Sequence, residues 1–226
     1  MARADTIEAV ATALDGVQKR LPPTDGVKWF AWLYADVTRA LVRLFDDGQM
    51  ESPKFMGDLV IRFGNTFLDS VAHPPKAPRA WRPLFERRHD ADVAPLQFAT
   101  AGLNAHVGSE LPVGLADEAQ KLGVDLAADG AEHRDWQKVN STIAAVEPGA
   151  KKYLLTGAVK ELDTVFGNVD DLMATWSVEA AREAAWAQGR AVWALRDAPL
   201  LRDPYVGTLE RSTAMVCRLL LAPTAV

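Results

Sequence analysis

Cysteine is nearly missing from this chain. Cys217 stands alone, so neither an internal disulfide nor a site built from several thiolates can form, and the expected compartment is a reducing cytoplasm. Within Val216-Cys217-Arg218-Leu219-Leu220 that thiol reads as packing rather than as a nucleophile. Positive charge is also short: 25 Lys and Arg against 30 Asp and Glu leave a net charge of -5, the wrong sign for gripping a phosphate backbone. No nucleic-acid partner is expected. Apolar runs all fall well below the roughly 20 residues that span a bilayer. Met1 to Asp5 leads into an amphipathic, acid-bearing segment without the apolar stretch of a secretory signal, so no membrane association is expected either.

Several motifs are absent too. There is no Gly-x-Gly-x-x-Gly following a strand, no phosphate-cradling glycine loop, no Gly-x-Ser-x-Gly elbow and no His-Glu-x-x-His pair. These absences remove the familiar nucleotide-binding folds, serine hydrolases and helix-borne zinc proteases. Alternating runs of β-branched residues are missing as well, which excludes a sheet-based core.

What is present is apolar residues at helical spacing along nearly the whole chain. With 49% hydrophobic and 24% charged residues, the 226-residue chain has the make-up of an ordinary globular protein, read here as a single helical domain over 1–226. Asp5-Thr6-Ile7-Glu8 marks a helix start, and Ile7, Val10, Leu14 and Val17 form one face before Pro22-Pro23. Thr24 or Asp25 caps a second helix bearing Trp29, Phe30, Leu33, Val37, Leu41 and Leu44, which stops near Gly48. Ser52-Pro53 is a cap followed by a first-turn proline, opening a third helix with Phe55, Met56, Leu59, Phe63 and Phe67.

A proline-rich connection at His73 to Pro78 precedes a short aromatic helix with Trp81, Leu84 and Phe85. Helices are then expected from Ala94 to Ser109, Leu115 to Leu122, Trp136 to Val146, Ser177 to Leu195 and Asp203 to Leu221. The architecture these imply is all-α, an irregular multi-helix bundle of about eight helices, whose interior is a common place to build a ligand site.

Polar residues on apolar faces are the best site candidates. At 100° per residue, Leu96, Ala99, Leu103, Val107 and Leu111 share one arc; Glu110 projects inside it and His106 lies at its edge. Four residues apart, the two can share a proton or begin a divalent-metal site, with Asp135 or His133 as further donors. In the bland reading the helix ends at Gly108 and Glu110 merely solvates the turn before Pro112. Arg182 lies in the middle of the face Val178, Ala181, Ala185, Trp186, Gly189 and Trp193, where an unpaired guanidinium costs several kcal/mol. It needs an anion: Glu110 or Asp135 in a structural pair, or a ligand's carboxylate or phosphate.

Asn140 and Asn104 flank apolar stripes and read equally as backbone-satisfying amides or as ligand contacts. Arg62, with Asp58 four residues before it, reads as a solvated helix face. Trp29, Trp81, Trp136, Trp176 and Trp186 come from different segments and either line a common cavity or fill the core.

Together the segments Trp29-Phe30-x-x-Leu33-Tyr34-x-x-Val37-Thr38, Arg62-Phe63-x-Asn65, Asn104-Ala105-His106-Val107-x-x-Glu110-Leu111, Asp135-Trp136-x-x-Val139-Asn140 and Ala181-Arg182-x-x-Ala185-Trp186 resemble the uncharacterised, mainly actinobacterial domain-of-unknown-function family 5995. The resemblance covers about residue 24 to residue 195. It implies an aspartate where this chain has Glu110 and a glycine where it has Pro112; the longer acid keeps the charge but changes its reach. No reaction comes with the family.

Three functions remain open. The first is a small-molecule enzyme or binding protein of specialised metabolism, with a polar pocket inside the bundle, His106 as general acid/base, Glu110 or Asp135 orienting it, and Arg182, Asn104, Asn140, Trp29 and Trp186 holding the ligand. A histidine suits proton transfer near neutral pH. The second is a metal-dependent hydrolase using His106, Glu110 and Asp135, which needs a divalent cation where the first needs no cofactor; a supply of only four histidines weighs against it. The third is a non-catalytic helical interaction module, with surface stripes that mark a homodimer.

Overall fold

Thr6 caps the first helix through its hydroxyl, which accepts from the Ala9 N–H at 3.1 Å, and α1 runs Ile7–Arg20 with Ile7, Val10, Leu14 and Val17 buried along one face. The computed structural model describes residues 3–126, 130–158 and 177–223, with only the backbone of 151 and 155–158. Helix α2 (Val27–Asp46) starts where the Asp25 carboxylate accepts from the Val27 N–H at 3.0 Å, and it ends before Gly48 at φ +64°. Helix α3 (Pro53–Ala72) lies against α1 and α2, and a single 3₁₀ turn, Pro74–Lys76, follows in the proline-rich connection.

Ser52 does not cap α3 through its hydroxyl, which instead donates to Glu132 at 2.7 Å. The N–H groups of Glu51 and Ser52, just before the helix, are taken by Asp135 from another helix altogether. A sequence reading cannot see this substitution, because the acceptor is more than 80 residues away.

After the short α4 (Arg82–Glu86), the chain enters α5 (Pro95–Ala105), passes through a π-helical turn at His106–Glu110 and continues without a break as α6 (Leu111–Leu122). The expected end at Ser109, or at Gly108 in the bland reading, is therefore corrected. Pro112 would clash with the carbonyl four residues back in a regular α-helix, and it has no N–H to give. A turn widened by one residue relieves both problems, with the Leu111 N–H reaching back to the His106 carbonyl. Gly123 closes the rod in the left-handed region at φ +69°.

Three further corrections concern lengths. Helix α7 runs Ala131–Ala158, carrying Pro148 inside it, rather than Trp136 to Val146. Helix α8 is Val178–Ala194, with Ser177, expected inside the helix, capping it through its hydroxyl, and α9 begins at Pro199, not Asp203, and ends at Leu220. Counting the bulged rod as one, eight α-helices stand among the described residues, with no strand among them. The all-α bundle is what the sequence called for.

The α5–α6 rod runs through the middle of the molecule. Helix α2 crosses α5 closely enough that a Cβ on Gly102 would meet the Phe30 ring at 2.3 Å, so only glycine fits the crossing. Helix α8 packs along α6, and α7 packs on α2, α5 and α8, while α9 covers α5 and the π turn. One apolar cluster unites these elements, built on Leu14, Phe30, Phe67, Trp81, Leu111, Leu115 and Trp136. Among the described residues no helix is long and apolar enough to cross a membrane.

Candidate functional site

A cavity of about 100 Å³ lies between α2, α3, the α5–α6 rod, α7 and α8. Its wall is mostly Leu, Val, Phe and Met side chains; the polar exceptions are Tyr34, Thr100, His106, Glu147 and Arg182. The π turn sets His106 there. By widening the helix where Pro112 demands it, the turn places His106 and Glu110 on the inward side, and π turns of this kind are found disproportionately at functional sites.

His106 Nδ1 and Glu110 Oε2 stand 3.0 Å apart, with side chains only 10% and 11% exposed. The imidazole is held on two sides by aromatic rings, Tyr34 at 5.3 Å between centroids and Phe63 edge-on at 5.2 Å. Glu110 Oε1 is buried and accepts no hydrogen bond among the described residues. A buried carboxylate oxygen left this way is costly, and natural folds keep such atoms where they serve a purpose.

Arg182 enters from α8. It is 5% exposed, its Nε donates to Asn140 Oδ1 at 2.6 Å, and its guanidinium carbon lies 4.0 Å from the centre of the Trp136 ring. No other hydrogen bond of its guanidinium is made within the described residues, although Arg182 reaches the cavity wall. Burial drags its pKa down to about 10, against the opposing pull of Tyr34 and Glu183. The group therefore stays cationic at neutral pH.

Tyr34 joins these parts electrostatically. Burial lifts its pKa well above the ordinary phenol range; the Glu110 charge adds to the rise and Arg182 counters it. Its hydroxyl is a protonated donor at any physiological pH. The sequence reading passed over Tyr34 because it sits among apolar neighbours on the α2 stripe, yet a phenol in such a stripe must place its O–H somewhere, and that signal was available.

Asp135 does not join this group. Its carboxylate, fully buried, accepts from the Glu51 N–H at 2.8 Å, the Ser52 N–H at 2.6 Å and Lys138 Nζ at 2.9 Å, which occupies it as the cap of α3. Neither Arg182 nor His106 is thus among its hydrogen-bond partners. Asn104 likewise points to α9, donating to the Thr213 carbonyl and to Cys217 Sγ, both at 3.1 Å. Asn140 holds Arg182 from behind and passes its own N–H₂ to Glu183 Oε1 at 2.7 Å, and Glu183 in turn meets His133 Nε2 at 3.2 Å. Arg62 pairs with Asp117 and Asp58 with the lysines Lys54 and Lys121, so the expected Asp58–Arg62 pair is not formed.

Of the tryptophans, Trp136 lines the cavity, whereas Trp81 packs against Phe30 and Phe67, and Trp186 stacks on His133 at 4.8 Å. Trp29 packs half-buried against the core, away from the cavity wall, and Trp176 lies outside the described residues. Among the described residues no three His, Cys, Asp or Glu side chains gather as a metal centre requires. Cys217 is buried, with its thiol pKa pushed up to about 11 by burial, so it is protonated and inert at neutral pH.

A family of unknown function, DUF5995, matches residues 7–223, and the chain belongs to that family. The match extends past both ends of the stretch from 24 to 195 that carried the resemblance. No curated protein and no solved structure matches the chain.

Proposed function

We propose that this chain is an enzyme acting in the cytoplasm on a small, largely apolar molecule, with His106 as the acid/base that moves a proton at a carbon beside a carbonyl group. One observation carries the reading: a histidine and a carboxylate 3.0 Å apart, both nearly buried, in a π turn that faces an apolar cavity. Ionised Glu110 accepts from Nδ1–H and so fixes the tautomer, leaving Nε2 as the basic nitrogen. Nε2 then takes the proton from the carbon, the C–H electron pair moves into the carbonyl, and the developing enolate oxygen is met by the Tyr34 O–H. Returning the proton to the same or a conjugated carbon completes an exchange or an isomerisation, with no other reactant consumed.

The metal-hydrolase reading has less support, because Asp135, its third donor, is committed to α3. The low dielectric of the cavity favours proton transfer, since charges aimed at the reacting atoms act there without competition from water.

The test is hydrogen exchange in deuterated water. Small apolar ketones such as cyclohexanone and 2-hexanone, incubated with the protein and followed by proton NMR, should lose their α-hydrogens faster than in buffer. His106→Asn should lower that acceleration by about a hundredfold, the usual size of a lost general base, while the melting temperature moves by only a few degrees. No acceleration by the native chain, or equal acceleration by His106→Asn, would overturn the proposal.

A further inference from the structure

Arg182 is the least explained residue in the molecule. Its Nε has Asn140 and its face has Trp136, but the outer N–H groups have no acceptor among the described residues. Those groups carry most of the guanidinium's donors, arranged as a fork that matches the two oxygens of one carboxylate. Of the acids at the site, Glu147 lines the wall from α7, while Glu110 spends one oxygen on His106 and is felt by Tyr34 rather than bonded to Arg182.

We propose that the cavity binds an apolar molecule bearing a single carboxylate, with the carboxylate gripped by the outer nitrogens of Arg182 and the body lying against Phe30, Met56, Leu59, Leu103 and Val139. The inference rests on the reading of this cavity as the substrate site, and it adds the class of substrate. Three features select a monoanion. One guanidinium balances one negative charge, and no Lys or second Arg among the described residues lines the cavity. Glu147 lines the cavity and Glu110 stands beside its His106, so a dianion such as phosphate is repelled more strongly than a monoanion. The wall is mostly apolar, so a sugar or a polyol would leave most of its hydroxyls without partners.

Size follows from the same cavity. A space of about 100 Å³ is smaller than the 150 Å³ or so of engineered apolar cavities that take up benzene, so the body is a short chain or one ring. Tyr34, between His106 and Arg182 in its interactions, then faces the carbon that sits next to the anchored end.

Isothermal titration of the full chain with hexanoate, hexan-1-ol and inorganic phosphate reads this directly. Hexanoate should bind about tenfold to a hundredfold more tightly than hexan-1-ol, the difference that charge-assisted hydrogen bonds make, and phosphate should neither bind nor displace it. Arg182→Gln should bring the acid and the alcohol to equal affinity, and His106→Asn should keep hexanoate binding within about threefold, because it leaves the anchor in place. The comparison of acid with alcohol on the native chain stands even if Arg182→Gln fails to fold. Equal binding of acid and alcohol would overturn the carboxylate inference while leaving the cavity and its histidine intact. Displacement of hexanoate by phosphate would overturn it in favour of a general anion site. Binding of neither organic probe would remove the cavity as a ligand site and the proposed function with it.

Discussion

Asp135 and Arg182 belong to helices that pack on one another, both are charged and both are buried, at 0% and 5% exposure. Their surroundings treat them in opposite ways. Around Asp135 the fold uses every strong acceptor direction, with two backbone N–H groups of the α3 start and the Lys138 ammonium. Around Arg182 it uses one donor among the described residues, on a side chain that lines a mostly apolar cavity. The same division runs through the other buried polar groups. Gln97 accepts from Ala94 N–H and donates to the Leu220 and Ala222 carbonyls, and Asn65 exchanges hydrogen bonds with both sides of the Ala4 peptide; each is fully employed in joining elements. Glu110 is not. Burial of a polar side chain is therefore common to structural and functional candidates alike, and it is unused hydrogen-bonding capacity that separates them.

The sharpest way to break this distinction is to remove the first of the pair. Asp135→Ala should destabilise the protein by about 3 kcal/mol, because it strands two backbone N–H groups and a lysine that now lack an acceptor. Urea unfolding followed by circular dichroism measures it. A loss under about 1 kcal/mol would mean that Asp135 is not the structural clasp described here.

Arg182→Met should do the reverse. Replacing an incompletely partnered buried charge by an apolar chain of similar length is commonly neutral or stabilising, so unfolding should be unchanged or require up to about 1 kcal/mol more, even though Asn140 Oδ1 loses its donor. A loss of more than about 2 kcal/mol would show that the arginine is a structural strut and that the contrast with Asp135 is false. Stability gained at the expense of ligand binding is the expected signature of a site residue.

Much of this could be read before any coordinates. The faces of α1, α2 and α3 follow from helical spacing, and Thr6 and Ser177 cap where a hydroxyl before an apolar-periodic run should. The burial of Arg182 also follows from counting 100° per residue along its helix, whereas the placement of Glu110 depends on the π turn. What periodicity cannot supply is the partner across space. Asp135 looked like a companion for His106 because both are polar on apolar faces, and only the packing of α7 against the start of α3 shows that its oxygens are already taken. Asn104 was misplaced for the same reason, its acceptors lying more than a hundred residues further along the chain on α9. The π turn was hidden differently. Gly108 and Pro112 are breaker residues, and a helix that swallows a proline by widening leaves the same composition as one that stops.

The smallest effect concerns the rim of the Asp135 clasp, where Glu51 faces Arg134 and Lys138 on the surface. Hydrogen bonding from Arg134, then from Lys138, holds the Glu51 pKa down at about 2, below its ordinary 4.5. As pH falls, the unfolded chain takes up this proton first, so the contribution of Glu51 is fully present above about pH 4.5 and drains away as pH approaches 2. Exposed pairs of this kind add little, and salt screens them. Arg134→Ala should therefore leave stability at pH 7 nearly unchanged and raise the acid-unfolding midpoint by less than about one pH unit, an effect that shrinks in 1 M salt. Asp135→Ala should weaken the protein at neutral pH in either salt condition, because its hydrogen bonds are buried where screening ions do not reach. Equal salt sensitivity in the two variants would show that clasp and rim are one exposed network, and that Asp135 is less enclosed than its contacts with the α3 start require.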